Sequence, residues 1–422
     1  MLNIIWIFLF LIATLSGLYQ VLWLGHTDIF NIMMGSTFEM AKTGFEVSLG
    51  LAGVMTLWLG LMRIGEASGA ISFITKLVSP FFRVFFPEIP AGHPVFGSMM
   101  MNISANMLGL DNAATPLGLK AMKELQELNS GSEEASASQI MFLVINTASV
   151  TLIPITVFTY LYELGYPNPM ELLLPILIAT FFSTLAGLIC TALFQKINLF
   201  RPQVLMLLGS MCLFISLVII FLLRMNPESL KTFSLFFGNA FIFFIIISFI
   251  TMAFLKKVDA YKEFIHGAKE GFQVAISIIP YLIAILVAVG IFRASGAMEL
   301  FLNLVENIFI FCAQLLTSLG IMNYQGEKML FVQALPVGIM KSLSGSGARG
   351  LMIETIKTQG VDSLISKMVA VMQGSSETTF YVLAVYCGAV GIKKTRYAVF
   401  CALFSDAVAV ISSIILCYVL FS

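Results

Sequence analysis

Apolar runs long enough to cross a bilayer recur along the whole chain, and nothing else constrains its fold as strongly. They fall near residues 2–24, 44–66, 137–162, 172–194, 203–223, 233–255, 272–292, 298–320, 365–390 and 397–421. A helix needs about 20 apolar residues to span the hydrocarbon core, since each residue advances it by only about 1.5 Å. In lipid the backbone must satisfy its own hydrogen bonds, and runs of this length do so as helices. The expected fold class is an all-α polytopic membrane protein. Charged residues make up 11% of the chain and the mean hydropathy is +0.96, whereas soluble domains carry roughly a quarter charged residues. The run at 2–24 has no basic segment before it and no small-residue cleavage site after it, so a retained first transmembrane helix is expected.

The same composition excludes several functions. Net charge is zero, which leaves no electrostatic footprint for nucleic acid. The six cysteines sit singly in apolar segments and the three histidines are scattered, so neither a disulfide framework nor a metal site is expected. No HExxH or GxSxG pattern occurs and no segment reads as a soluble domain; GSGARG at 345–350 has the GxGxxG spacing, but no strand precedes it and no soluble fold surrounds it. No enzyme and no cofactor is expected; the partners are the lipid bilayer, a small-molecule solute and a possible second copy of the chain.

Two regions, about 67–136 and 321–364, hold apolar pieces too short to span and punctuated by Gly, Pro and Ser. Such pieces suit broken or re-entrant helices, tolerated only where protein or a watery cavity covers the backbone. The chain also repeats itself. AKTGFEV at 41–47 matches AKEGFQV at 268–274, an offset of 227, and the same offset pairs ASGA at 67–70 with ASGA at 294–297 and ASVTL at 148–152 with SSETT at 375–379. The loop ELGYPNPME carries two acids and no base, while its equivalent GIKKTR carries three bases; by the positive-inside rule these points face opposite sides. Three connecting helices, an odd number, give the same answer. Inverted repeats with broken helices are expected, an arrangement that places a solute site near the midplane of secondary transporters.

Candidate site residues follow from the breaks. MNISANMLGLDNAATPLGLKAM (101–122) sets Asn102 and Asn106 four apart on one helix face, then breaks around Gly109–Asn112, with Asp111 and Asn112 at the tip. Thr115 before Pro116 reads as an N-cap and helix start. In LPVGIMKSLSGSGARGLMIE (335–354) the break covers Ser342, Ser344, Gly345 and Ser346, where small residues let a ligand approach the backbone, with Lys341 and Arg349 flanking it. Two acids, Glu377 and Asp406, lie deep in apolar runs, and acids at such depth face a cavity or a partner. Gln373, Ser375, Ser376 and Thr378 surround Glu377, and Asn146 lies in the equivalent first-half segment. Glu377, Thr378 and Asp406 are the candidates for ion coupling; a static ion pair of Glu377 with Arg349 or Arg293 is the other reading.

These residues carry a resemblance. LWLGLMRIGEASG, HPVFGSMMMNISANMLGLDNAATPLGLKAMKELQ and INTASVTLIP resemble spore maturation protein A, and YKEFIHGAKEGFQVAISIIPYL with SLSGSGARG resembles spore maturation protein B. The resemblance implies a fusion, residues 1–200 being the A-like half with one gate repeat and 201–422 the B-like half with the other. It implies the nucleoside recognition, or gate, domain, which is similar to parts of concentrative nucleoside transporters and of ferrous iron transporters, and a place in the bacterial inner membrane. Two functions follow as expectations: an alternating-access solute transporter, driven by protons or sodium, for a small polar or nucleoside-like substrate; or a non-transporting membrane factor in envelope or spore maturation. Inversion has a direct test. A topology reporter fused after Pro169 is expected outside the cell and one after Lys394 in the cytoplasm; the same side for both would refute it.

Overall fold

A computed structural model describes the chain except residues 1, 71–72, 74–75, 77–82, 91–92, 108–110, 150, 198–208, 210–212, 214–215, 222–223, 225–226, 319–328 and 422. The first half holds α1 (Leu2–Leu24), α2 (Ile29–Ala67), α3 (Pro94–Met107), α4 (Asp111–Leu128), α5 (Ala137–Ala148), α6 (Ile155–Glu163) and α7 (Leu173–Phe194). The second holds α8 (Pro227–Leu255), α9 (Ala260–Ala294), α10 (Ala297–Ser318), α11 (Leu335–Leu343), α12 (Gly345–Gln359), α13 (Leu364–Gly374), α14 (Thr379–Ala389) and α15 (Ala398–Phe421). Among the described residues there is no strand beyond one isolated bridge, Glu134 to Lys394. Among the described residues four helices are long and apolar enough to cross a bilayer, and there are five such spans if α9 and α10, bent by 73° at their break, count as one. This is a multi-pass, all-α membrane protein.

The segments at 137–162 and 365–390 read as continuous spans in the sequence, but each is two short helices. α5 stops at Ala148 and α6 begins at Ile155; α13 stops at Gly374 and α14 begins at Thr379. Average apolarity hides the cause, which is local. Ser149 sits at φ 29°, Pro154 precedes α6 as its N-cap, and the hydroxyls of Thr151 and Ser375 bond local backbone carbonyls, those of Ser149 at 3.4 Å and Met372 at 3.0 Å. In 101–122 the helix start also differs from expectation: α4 begins at Asp111, so Thr115 is not its N-cap and Pro116 lies within it. Proline there forfeits the bond to the carbonyl of residue 112, while the Asn102 amide donates to the neighbouring Ala114 carbonyl at 2.7 Å.

The 227-residue spacing governs the architecture well beyond the stretches that match in sequence. α1 and α8, α2 and α9, α5 and α13, α6 and α14, and α7 and α15 begin and end within a few residues of it. Helix caps repeat in detail. The Ser68 amide donates to Ile64 at 2.8 Å and the Gly69 amide to Glu66 at 3.0 Å; the Ser295 amide donates to Ile291 at 2.9 Å and the Gly296 amide to Arg293 at 2.8 Å. Gly69 (φ 83°) and Gly296 (φ 71°) hold left-handed turns that a Cβ disfavours. The segments at 172–194 and 233–255 are therefore members of the repeating set, α7 and α8, and not connectors. Only 195–226, described in part, links the two sets.

Equivalent helices pair with each other, antiparallel. Along α2 and α9, Gly44 meets Ile283, Met55 meets Gly271 and Gly60 meets Phe264, and Arg63 pairs with Glu263 at 3.3 Å and with Glu66 at 2.8 Å. Gly44 and Gly271 are 227 apart, and each packs against the other's helix. Small residues permit this approach, which in lipid gains packing and dispersion energy without hydrophobic help. α7 and α15 repeat the scheme: Ser183 and Ser405 hydroxyls meet at 2.9 Å, Cys190 and Cys401 thiols at 3.4 Å, and Phe194 stacks on Tyr397 at 5.0 Å.

A Cβ on Gly271 would lie 2.5 Å from the Met55 carbonyl oxygen, so no side-chain rotation relieves it. Gly271→Leu is expected to cost about 1–3 kcal/mol and lower the melting temperature in detergent. Gly35→Leu, with nothing within 4 Å of the new Cβ, should leave melting unchanged. Equal melting of the two variants would show that the α2–α9 seam is not tightly packed.

Candidate binding site

Four interruptions of helix converge on one place, and backbone bonds tie three of them together. The Leu152 amide, in the α5–α6 break, donates to the Met107 carbonyl at the end of α3 at 2.8 Å. The Glu377 amide, in the α13–α14 break, donates to the Thr147 carbonyl near the end of α5, also at 2.8 Å. Between α11 and α12 a single extended residue, Ser344 (φ −157°, ψ 115°), breaks the helix and caps the next by accepting from the Gly347 amide at 3.1 Å. Gly345 follows because space demands it: a Cβ there would lie 2.6 Å from Thr378 Oγ1, so the start of α12 could not approach the start of α14.

Around these ends lies a cleft with two chambers. The larger, about 610 Å³, is lined by Asn106, Thr115, Asn146, Leu343, Ser344, Gly345, Ser346, Arg349, Glu377, Thr378 and the aromatic rings of Phe380, Tyr381 and Tyr386. The smaller, about 90 Å³, shares Asn106, Gly345, Arg349, Glu377 and Thr378 and adds Thr151, Lys341, Gln373 and Ser376. Each half of the chain supplies wall. Two helices, α12 and α14, begin here and present the positive ends of their dipoles, while α3, α5 and α13 end here with carbonyls outward.

Charge in the cleft is split. Arg349 donates through Nε to the Gly345 carbonyl at 3.1 Å, which leaves both terminal nitrogens of its guanidinium for a ligand. Among the described residues neither Arg349 nor Glu377 has an ion-pair partner within 4.0 Å. Arg293 is paired with Glu354 instead, its Nη2 donating to Oε2 at 2.7 Å. The static pair of Glu377 with Arg349 or Arg293 is therefore not formed.

The other sequence candidates divide between cleft and wall. Asn106 donates to Asn146 Oδ1 at 2.8 Å, and Asn146 donates to the Phe142 carbonyl at 2.9 Å, so both amides are oriented at the cleft. Gln373 is 5% exposed and its Oε1 has no hydrogen-bond partner. Asn102, fully buried, lies behind the wall and holds Tyr386, donating to its hydroxyl at 3.2 Å. Ser375 bonds the Met372 carbonyl at 3.0 Å, also away from the cleft. Asp406, 4% exposed, sits one layer back: Thr379 donates to Oδ2 at 2.7 Å, and Ser342, Ser376 and the Lys341 ammonium lie beside the carboxylate. Ser376 and Lys341 thus face the cleft and Asp406 together. The side chains of Asp111 and Asn112 lie outside the described residues.

Sequence reasoning did not carry Thr151 into the candidate set and passed over Thr379 and the three aromatics. The ASVTL–SSETT match carried a signal for both threonines, since it marked both breaks. Phe380, Tyr381 and Tyr386 carried none, being three aromatics in an apolar run.

The family model described as nucleoside recognition, or Gate, matches residues 48–163, which supply Asn106, Thr115, Asn146 and Thr151 to the cleft. Spore maturation protein A of Bacillus subtilis (strain 168) is 39% identical over 189 residues, covering 45% of this chain and 93% of that protein. Spore maturation protein B of the same organism is 40% identical over 167 residues, covering 40% of this chain and 85% of that protein. The chain belongs to the spore maturation protein A and B family. It joins both kinds in one polypeptide. No solved structure matches it.

Asn102 makes a prediction that separates wall from cleft. Its amide serves two buried partners, so Asn102→Ala is expected to cost about 1–3 kcal/mol and lower the melting temperature. Unchanged melting would remove it from the wall.

Proposed function

We propose that the protein is a bacterial inner-membrane transporter that carries a small polar solute by alternating access. The observation that carries this reading is the meeting of broken helices from both halves around one cleft in which a guanidinium and a carboxylate have no ion-pair partner among the described residues. Transporters place broken helix ends at a midplane site because freed amides and carbonyls recognise polar groups where lipid offers none. The antiparallel pairing of α2 with α9 and of α7 with α15 supports opposed insertion of the two halves, which would let one half rock against the other around a fixed site.

Coupling to a proton or sodium gradient falls to Asp406. It is an acid surrounded by hydroxyls, buried behind the cleft and touching it only through Ser376 and Lys341. Loading it would change what those two residues present to the solute. No chemical step is needed in this reading, and the protein is not an enzyme.

Uptake by proteoliposomes tests it. Arg349→Gln is expected to reduce uptake roughly tenfold or more, through loss of charge-assisted hydrogen bonds, with little change in melting. Asp406→Asn should leave solute binding in place and abolish the response to an imposed gradient. Uptake equal to wild type in Arg349→Gln would detach the cleft from transport.

A further inference from the structure

The two unpartnered charges say more about the solute than its polarity. Arg349 and Glu377 line both chambers, lie further apart than an ion pair, and leave open two guanidinium nitrogens on one side and a carboxylate on the other. A neutral solute would satisfy neither charge, and a solute of one sign would satisfy one and leave the other uncompensated in a site of low dielectric. From this juxtaposition we propose that the substrate is a zwitterion, an amino acid whose carboxylate sits on Arg349 and whose ammonium sits on Glu377. The inference deepens the transport reading and rests on it.

Independent features distribute the two ends. Gln373 Oε1 is a buried acceptor without a donor in the smaller chamber, beside Glu377, where an ammonium would supply the missing hydrogens. Lys341 lines the same chamber, but its charge lies beside Asp406. For the carboxylate, the guanidinium offers a bidentate fork, and the starts of α12 and α14 add positive dipole ends. The walls of the larger chamber describe the rest of the molecule. Phe380, Tyr381, Tyr386, Leu343 and Val382 face it, so the side chain is apolar. Tyr386 is held rigid, its ring stacked on Phe142 at 6.1 Å and its hydroxyl on Asn102. A nucleoside carries no charge for either Arg349 or Glu377.

The full-length protein, purified in detergent, is titrated with each proteinogenic L-amino acid and with uridine, and its melting temperature is read. The best-binding amino acid is then compared with the amine lacking its carboxylate and the acid lacking its ammonium. An amino acid with an apolar side chain is expected to raise the melting temperature saturably, with each truncated analogue binding roughly 30-fold weaker or worse. The variants should exchange these penalties: Arg349→Gln binds the amine as well as the amino acid, and Glu377→Gln binds the acid as well as the amino acid. A merely structural role would lower all affinities together and leave the ratios unmoved. The proposal is overturned if no amino acid stabilises the protein, if either analogue matches its parent in the wild type, or if uridine alone binds. Uridine binding with uridine uptake would leave the transport reading standing; amino-acid binding without uptake would support the zwitterion site and fault transport.

Discussion

A helix that ends inside a membrane protein frees amides and carbonyls that lipid cannot satisfy, and the centre of this molecule is organised by that obligation. Three of the breaks here answer one another, and the fourth is capped by its own Ser344. The α5–α6 break takes the carbonyl at the end of α3, and the α13–α14 break takes the carbonyl of Thr147 near the end of α5. Broken helices therefore come as a set: none of these ends is stable in lipid alone. What the set does not consume among itself faces the cleft, and that surplus makes a binding site from an unavoidable cost of folding.

Around this centre the packing is simple. Two pairs of equivalent helices meet antiparallel, one through glycines and the other through serines, cysteines and stacked rings. Both contacts use small or flat surfaces, which suit close approach in a solvent where apolar side chains gain little by leaving lipid. The polar residues of the cleft are held by this frame from behind, as Asn102 holds Tyr386 and as Ser376 and Lys341 stand between the cleft and Asp406.

Much of this was legible in the residues. Apolar run length gave the fold class, because backbone desolvation leaves few alternatives. The repeat at 41–70 and 268–297 gave α2 and α9, whose glycines must match to let two backbones meet. The Ser–Gly run at 342–347 contains its break, but the break narrows to Ser344, with Ser342 and Gly345–Gly347 already helical. Other features were hidden. The breaks in 137–162 and 365–390 depend on a few hydroxyls and one proline in otherwise apolar surroundings, which an averaged signal overlooks. Pro116 suggested a helix start because its lost bond is usually cheap only there, yet α4 starts at Asp111 and runs on through it. The aromatic wall of the cleft was invisible, as ring orientation at α14 follows from packing across the two halves.

The link at 195–226 joins two sets of helices that already recognise each other through matching faces. Tethered partners meet at an effective concentration on the order of millimolar, with no loss of freedom on encounter beyond what the tether has already removed. The seam between α2 and α9 therefore has no need of the affinity that two free chains would require. A seam of moderate strength can loosen, shift and close again without the halves diffusing apart, so covalent joining permits a mobility that tight association would forbid.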